Sequence, residues 1–356
     1  PAQIIILGFL LLIFTGAVLL MLPFSTQEPG GASFGDALFT ATSATCVTGL
    51  VLHDTALYWS PFGQLVILLL IQVGGMGVVT IAVAIFMFAG KRIGLKQRWV
   101  MQESISAPQV GGIVRMTGFI LKTAFLIEGI GALLLALRFC PQFGLGRGLW
   151  YAVFHSVSAF CNAGFDLMGV NSPFSSLTDY VGDPLVSNVI AFLIIIGGVG
   201  FLTWNDIREH KLHFRRYRLQ SKLILTTTLA LILTGLLFFL LYEFEQGQWV
   251  DMSLWERINA AFFQSVTPRT AGFNTVDLTG LSQPAQLLII LLMLVGGSPG
   301  STAGGFKTTT LAVMLLGIRA VFRHKERPQC FGRRIADESI RNASAIFLLY
   351  LLLFLT

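Results

Sequence analysis

Four uncharged apolar blocks, 4–22, 65–89, 186–204 and 223–242, dominate this 356-residue chain. Each is close to the length a helix needs to cross the roughly 30 Å hydrocarbon core of a bilayer. A fifth, 116–137, is interrupted by Lys122 and Glu128. A sixth, 287–322, is broken by a glycine-rich stretch, and 345–356 begins a further span. Charged residues make up only 12% of the chain, about half of what a water-soluble domain carries. The solvent of this chain is lipid, and its expected class is an all-α polytopic membrane protein. The first block lacks the basic flank and small-residue cleavage site of a signal peptide. A start at Pro1 and a stop inside an apolar run read as a fragment at both ends.

The net charge of +6 raises the question of nucleic acid, and its distribution answers it. Eighteen of the 24 Lys and Arg residues fall in three segments between apolar blocks, 91–115, 208–222 and 319–341. Basic loops stay in the cytoplasm, so the charge reads as topology and not as a nucleic-acid surface. Eleven of the 18 acids, among them Asp36, Asp54, Asp166, Asp183, Glu256 and Asp277, fall on the opposite side. An outer face of that sign concentrates cations. Cys46, Cys140, Cys161 and Cys330 show no paired spacing, so neither a disulfide framework nor a zinc site is expected.

One unit recurs three times. After each of three spans comes a short helix-length segment, 36–45, 150–160 and 256–267, then a loop with a glycine, then a second apolar block. Ala37, Ala152 and Ala260 each precede the loop glycine by twelve residues, and Phe39, Phe154 and Phe262 by ten. The glycines are Gly49, Gly164 and Gly272. Each second block then carries a pair, Gly74–Gly75, Gly197–Gly198 or Gly296–Gly297. The short segments cannot span a bilayer. Loop backbone at membrane depth is tolerated only where it is buried in protein or lines water, which a re-entrant pore loop satisfies.

The chemistry of such a loop follows from what a dehydrated cation needs. K⁺ must exchange water for oxygens, and backbone carbonyls supply them without a full charge that would trap the ion. Turning successive carbonyls toward one axis requires backbone angles open mainly to glycine. Short helices aiming their carbonyl ends at the pore add partial negative charge. The sequences Thr-Gly-Leu at 48–50, Asn-Ala-Gly-Phe at 162–165 and Arg-Thr-Ala-Gly-Phe-Asn at 269–274 resemble the filters of the Trk/Ktr/HKT superfamily of potassium transporters. Its bacterial pore-forming subunits, of KtrB and TrkH type, are built from four helix–pore loop–helix repeats around a central pore. The resemblance covers essentially the whole chain, apart from a fourth repeat that stops after its first helix begins. It implies that Gly49, Gly164 and Gly272 are filter glycines. Val47, Thr48, Asn162, Ala163, Thr270 and Ala271 then present neighbouring carbonyls. In plant relatives a Ser at the first-repeat position goes with Na⁺ preference, so glycine at all three positions points to K⁺.

Residues 296–307 read Gly-Gly-Ser-Pro-Gly-Ser-Thr-Ala-Gly-Gly-Phe-Lys, which no helix crosses uninterrupted. A nucleotide loop is excluded because Phe306 separates the last glycine from Lys307 and no strand precedes it. By resemblance the stretch is an intramembrane gate beneath the filter, formed by Gly296, Gly297, Ser298, Gly300, Ser301, Thr302, Gly304, Gly305 and Lys307. A passive broken helix is the alternative. The second helices of the first two repeats read as continuous spans, their glycine pairs being close-packing positions. Arg269 is expected behind its loop, tethering it by hydrogen bonds. Glu128 reads either as half of an ion pair or as a group acting in transport, and Lys122 as a snorkelling lysine.

The expected layout is repeat one over 1–90, a cytoplasmic connector 91–113, repeat two over 114–206, a loop 207–219 and repeat three over 220–322. A cytoplasmic loop and the start of repeat four follow over 323–356. The expected function is K⁺ uptake through a channel-like pore in the bacterial inner membrane, with no cofactor and no enzymatic step. A cation-coupled secondary transporter is the alternative, although such proteins usually carry inverted repeats and these run in one direction. The resemblance implies a lipid-embedded homodimer docked on a cytoplasmic ring of nucleotide-binding regulatory subunits of KtrA/TrkA type. Symport with Na⁺ or H⁺, and the choice of nucleotide, are not written in these residues.

Overall fold

The computed structural model describes residues 2–88, 94–105, 111–324 and 328–355. The first run of elements is α1 (Ala2–Leu20), α2 (Phe34–Cys46), α3 (Thr55–Tyr58), α4 (Pro61–Met76) and α5 (Val78–Phe88). A connecting helix, α6 (Leu95–Ser104), leads to α7 (Ile113–Phe143), α8 (Leu145–Phe160), α9 (Pro184–Val199) and α10 (Phe201–His210). The third run is α11 (Leu219–Phe238), α12 (Leu254–Val266), α13 (Gln283–Leu294) and α14 (Thr308–Phe322). A two-stranded hairpin of β1 (Gln329–Cys330) and β2 (Arg333–Arg334) precedes α15 (Asp337–Leu355). The chain is therefore a helical membrane protein in which a long helix, a short helix, a loop and an interrupted helix recur in one order.

Local chemistry marks the same three starts. The short helices α2 and α12 begin on Ser33 and Ser253, whose hydroxyls accept from Asp36 N and Glu256 N. At the second site the Glu256 carboxylate returns a bond to Ser253 N, closing a capping box. The helices after the loops begin on Ser60, Asp183 and Ser282, each with a proline in the first turn at Pro61, Pro184 or Pro284.

The second helices of the first two repeats are not continuous, contrary to the sequence expectation. Between α4 and α5 the axis turns by 99°, and between α9 and α10 by 94°. The turns fall at Gly77 and Gly200, with φ of +85° and +95°. Hydropathy cannot see either break, because the apolar run continues past Gly77 through α5 and past Gly200 as far as Trp204, and only a backbone angle marks the bend. The glycine pairs just before the turns admit the neighbouring short helices. A methyl at Gly74 would overlap the Thr45 carbonyl, and one at Gly197 the Phe160 carbonyl.

The core gathers α2, α4, α8 and α9, where Ile67, Ile71, Phe154, Phe160 and Ile190 are fully buried. Outward faces stay apolar: Leu7, Leu11, Phe125, Leu126, Leu133 and Leu137 are all more than half exposed. In water this surface would drive association; in a bilayer it is the lipid face. Among the described residues three helices are long and apolar enough to cross a membrane, and up to five spans result if each bent pair counts as one.

Lys91, Arg92, Lys325 and Arg327 of the basic segments lie outside the described residues. Arg216 and Arg334 are exposed within those segments, and Ser172 and Thr279 on the other side. In a background without the native cysteines, cysteine at Ser172 or Thr279 is expected to react with an impermeant maleimide on intact cells. Cysteine at Arg216 or Arg334 is expected to react only after permeabilisation, and external labelling there would invert the orientation.

Candidate ion pathway

Each short helix hands the chain to its loop through the same backbone device. Val47, Asn162 and Thr270 adopt left-handed angles with φ of +56°, +57° and +66°. Two residues later Gly49, Gly164 and Gly272 do so again, at +76°, +71° and +84°. For valine and threonine this region is strained by about 1–3 kcal/mol, so the surroundings must hold it. In the first loop Thr48 N donates to Ser43 O at 3.0 Å, and the Ser43 hydroxyl donates to Leu50 O at 2.7 Å. In the third, Ala271 N donates to Thr267 O at 3.0 Å and the Thr267 hydroxyl to Phe273 O at 2.5 Å. The second loop uses Ala163 N to Ser158 O at 2.8 Å.

The three loops converge. A Cβ on Gly49 would lie 3.6 Å from Gly164 Cα, and one on Gly164 only 2.9 Å from Gly272 Cα. A Cβ on Gly272 would lie 3.8 Å from Gly49 Cα. Asn162, Ala163, Gly164 and Ala271 are buried, Gly49 and Thr270 half-buried, and Thr48 and Gly272 exposed. The three loop glycines, with the Ala163 and Ala271 carbonyls, therefore meet around one point.

The glycine-rich stretch between α13 and α14 folds back on itself. Gly296 N donates to Phe306 O at 2.9 Å, Gly297 N to Gly304 O at 3.1 Å, and the Ser301 hydroxyl to Ser298 O at 2.7 Å. The loop docks on the break between α9 and α10: Ser298 N donates to Gly198 O at 2.9 Å, and Phe201 N to Gly300 O at 2.7 Å. Its tip reaches the second of the three loops, where the Thr302 hydroxyl lies 2.9 Å from Phe160 O and 3.3 Å from Asn162 Oδ1. A Cβ on Gly305 would lie 3.3 Å from Thr270 Cγ2. Lys307 Nζ donates to Ala303 O at 2.9 Å and Gly304 O at 3.3 Å, so its ammonium is held by the loop's own carbonyls.

Two expectations about charged groups change. Arg269 is buried, but its side chain makes no hydrogen bond among the described residues and its Nε is unpartnered, so the expected tether is not formed. The partner of Glu128 is an amide and not a cation: Gln72 Nε2 on α4 donates to both carboxylate oxygens, at 2.9 and 3.2 Å. Sequence reasoning missed His155. Its ring bridges Tyr151 O, 2.7 Å from Nδ1, and Leu167 N, 3.2 Å from Nε2, bracing the segment beyond the second filter loop. A lone histidine in an apolar helix carries no pattern that would have announced this.

The family model described as TrkH, cation transport protein, matches residues 1–356. The chain is 41% identical over 347 residues to the potassium/sodium uptake protein NtpJ of Enterococcus hirae, covering 98% of this chain and 76% of that protein. It is 43% identical over 347 residues to the Ktr system potassium uptake protein B of Bacillus subtilis, covering 97% and 76%. A crystal structure of the potassium transporter TrkH from Vibrio parahaemolyticus shares the fold, with a TM-score of 0.71 at 20% identity over 98% of this chain and 70% of that one. By sequence and by fold, this multi-pass bacterial membrane protein is a transporter and not an enzyme, and it belongs to the TrkH cation transport protein family.

Proposed function

We propose that this chain is the pore-forming subunit of a K⁺ uptake system. Ions pass a filter of backbone carbonyls supplied by Val47, Thr48, Gly49, Asn162, Ala163, Gly164, Thr270, Ala271 and Gly272. The observation that carries the reading is the paired left-handed geometry, residue and glycine two apart, at one register in three convergent loops. Such geometry turns neighbouring carbonyls to a common side, which is what replacing a hydration shell demands. The relatives named for potassium uptake support the choice of ion. Identity of 41% to NtpJ and of 31–43% to the Ktr proteins, against 26% to the TrkH of Salmonella typhimurium, favours a Ktr-type subunit.

In this reading the stretch from Gly296 to Lys307 is the gate. Its position under the second and third filter loops supports that role over a passive break. A homodimer in the lipid and a cytoplasmic nucleotide-binding regulatory subunit on the basic loops complete the system. The filter is tested by Gly49→Ser. A Cβ there would lie 2.9 Å from Ala163 O, so the serine must displace one of the carbonyls it adjoins. The expected result is a severalfold loss of K⁺ over Na⁺ preference in uptake assays, and unchanged discrimination would remove Gly49 from the filter.

A further inference from the structure

Where α6, the start of α7 and the end of α10 meet, a cavity of about 910 Å³ is lined by Arg98, Arg115, Phe119, Lys122, Leu126 and Arg208. All four cations are exposed, and none has a carboxylate within ion-pairing distance among the described residues. Arg208 lies over the Phe119 ring, 4.9 Å from its centroid. An adjoining cavity of about 490 Å³ adds Glu209, whose carboxylate is engaged by Asn205 Nδ2 at 2.9 Å. The wall also includes the opening of α7, which starts at Gly112 with no side-chain cap, so the positive end of the helix dipole borders the void. Four like charges around one void repel one another unless an anion sits between them.

What kind of anion is settled by the rest of the helix. Arg115, Phe119, Lys122 and Leu126 recur at spacings of four, three and four, and Ile130, Leu133 and Leu137 continue the same stripe. From Leu126 onward every member is apolar and more than half exposed, facing lipid. Lys122 stands about 13 Å along the axis from Ile113, too deep for an acidic protein loop to reach without leaving water. A basic cluster that runs directly into a lipid-facing apolar stripe matches a headgroup followed by an acyl chain. We propose that this cavity binds an anionic phospholipid of the inner leaflet. Its phosphodiester lies among Arg98, Arg115, Lys122 and Arg208, and one chain lies along Leu126 to Leu137.

The test uses the full-length protein in nanodiscs of equal parts phosphatidylglycerol and phosphatidylcholine, with retained lipid counted by native mass spectrometry. The wild type is expected to retain phosphatidylglycerol preferentially. Arg115→Gln with Lys122→Gln should cut that preference by at least about tenfold, whereas Arg319→Gln with Arg323→Gln should leave it intact. Equal retention by the first double variant and the wild type overturns the proposal. Complete displacement of the lipid by inorganic phosphate also overturns it, because the site would then take a free anion. So does a double variant that keeps its lipid preference but no longer holds the cytoplasmic subunit.

Discussion

Exchanging Gly164 for alanine is expected to reduce K⁺ uptake by at least about tenfold, while Gly129→Ala leaves it within about twofold. Gly164 has φ of +71°, and an added Cβ would lie 2.6 Å from Ala271 O and 2.9 Å from Gly272 Cα. Both obstacles are backbone, which cannot swing aside as a side chain can. The left-handed conformation alone costs about 1–2 kcal/mol for a residue with a Cβ, and the overlap adds to it. The strain falls on the oxygens that the proposed filter offers the ion, so the loss should show in transport at equal membrane expression. Gly129 lies in α7 with no atom within 4 Å of its hypothetical Cβ, and alanine there improves helix propensity. Uptake by Gly164→Ala at the wild-type rate would show that the convergent point is not the ion path.

Deleting residues 300–305 is expected to raise K⁺ flux about tenfold and to weaken its dependence on the regulatory subunit. The segment is held by the Gly300 carbonyl on Phe201 N, by Thr302 N on Gly197 O and by the Thr302 hydroxyl on Phe160 O. Each such bond contributes about 1 kcal/mol net, so their loss is expected to free the stretch from the break between α9 and α10. The shortened loop also no longer reaches Asn162 of the proposed filter. Because a deletion can impair folding, Thr302→Val provides a milder variant that removes only the hydroxyl contacts; it should raise flux in the same direction by a few fold. Well-expressed variants with unchanged or lower uptake, still fully partner-dependent, would make the stretch a passive break while leaving the filter reading intact.

Much of this architecture was legible because it rests on period, length and glycine. The short segments read at 36–45, 150–160 and 256–267 correspond to α2, α8 and α12, since apolar runs too short to span must still pair their backbone. The convergence of Gly49, Gly164 and Gly272 followed from their common register. The bend at Gly77 was not legible, because an uninterrupted apolar run looks the same whether the helix continues or turns, and at Gly200 the run ends only after Trp204, past the turn. The left-handed Val47 and Thr270 were hidden for a related reason: β-branched residues avoid that region in short peptides, and only the surrounding fold imposes it. The Gln72–Glu128 pair joins residues 56 positions apart through tertiary packing, which no local pattern encodes.

The bends also sort the helices by length. At 1.5 Å per residue, the 31 residues of α7 extend about 46 Å, whereas the 16 residues of α4 and of α9 extend about 24 Å before they turn. A hydrocarbon core of about 30 Å exceeds the two short helices, while α7 crosses it and carries Arg115 and Arg138 towards its two ends. A helix that is too long can tilt, but one that is too short must be shielded from lipid or thin the bilayer around it. In α4 and α9 nine and eight residues are buried, against nine of 31 in α7, so the short elements are enclosed and the long one meets the acyl chains. A change in membrane thickness is therefore expected to bear on α7 more than on α4 or α9. That helix is tied to α8 by the Ser156 hydroxyl on the Glu128 carbonyl at 2.7 Å, and α8 ends in the second filter loop. A change in acyl-chain length is thereby expected to be felt at the second loop, through α7 and α8, more than at the enclosed short helices.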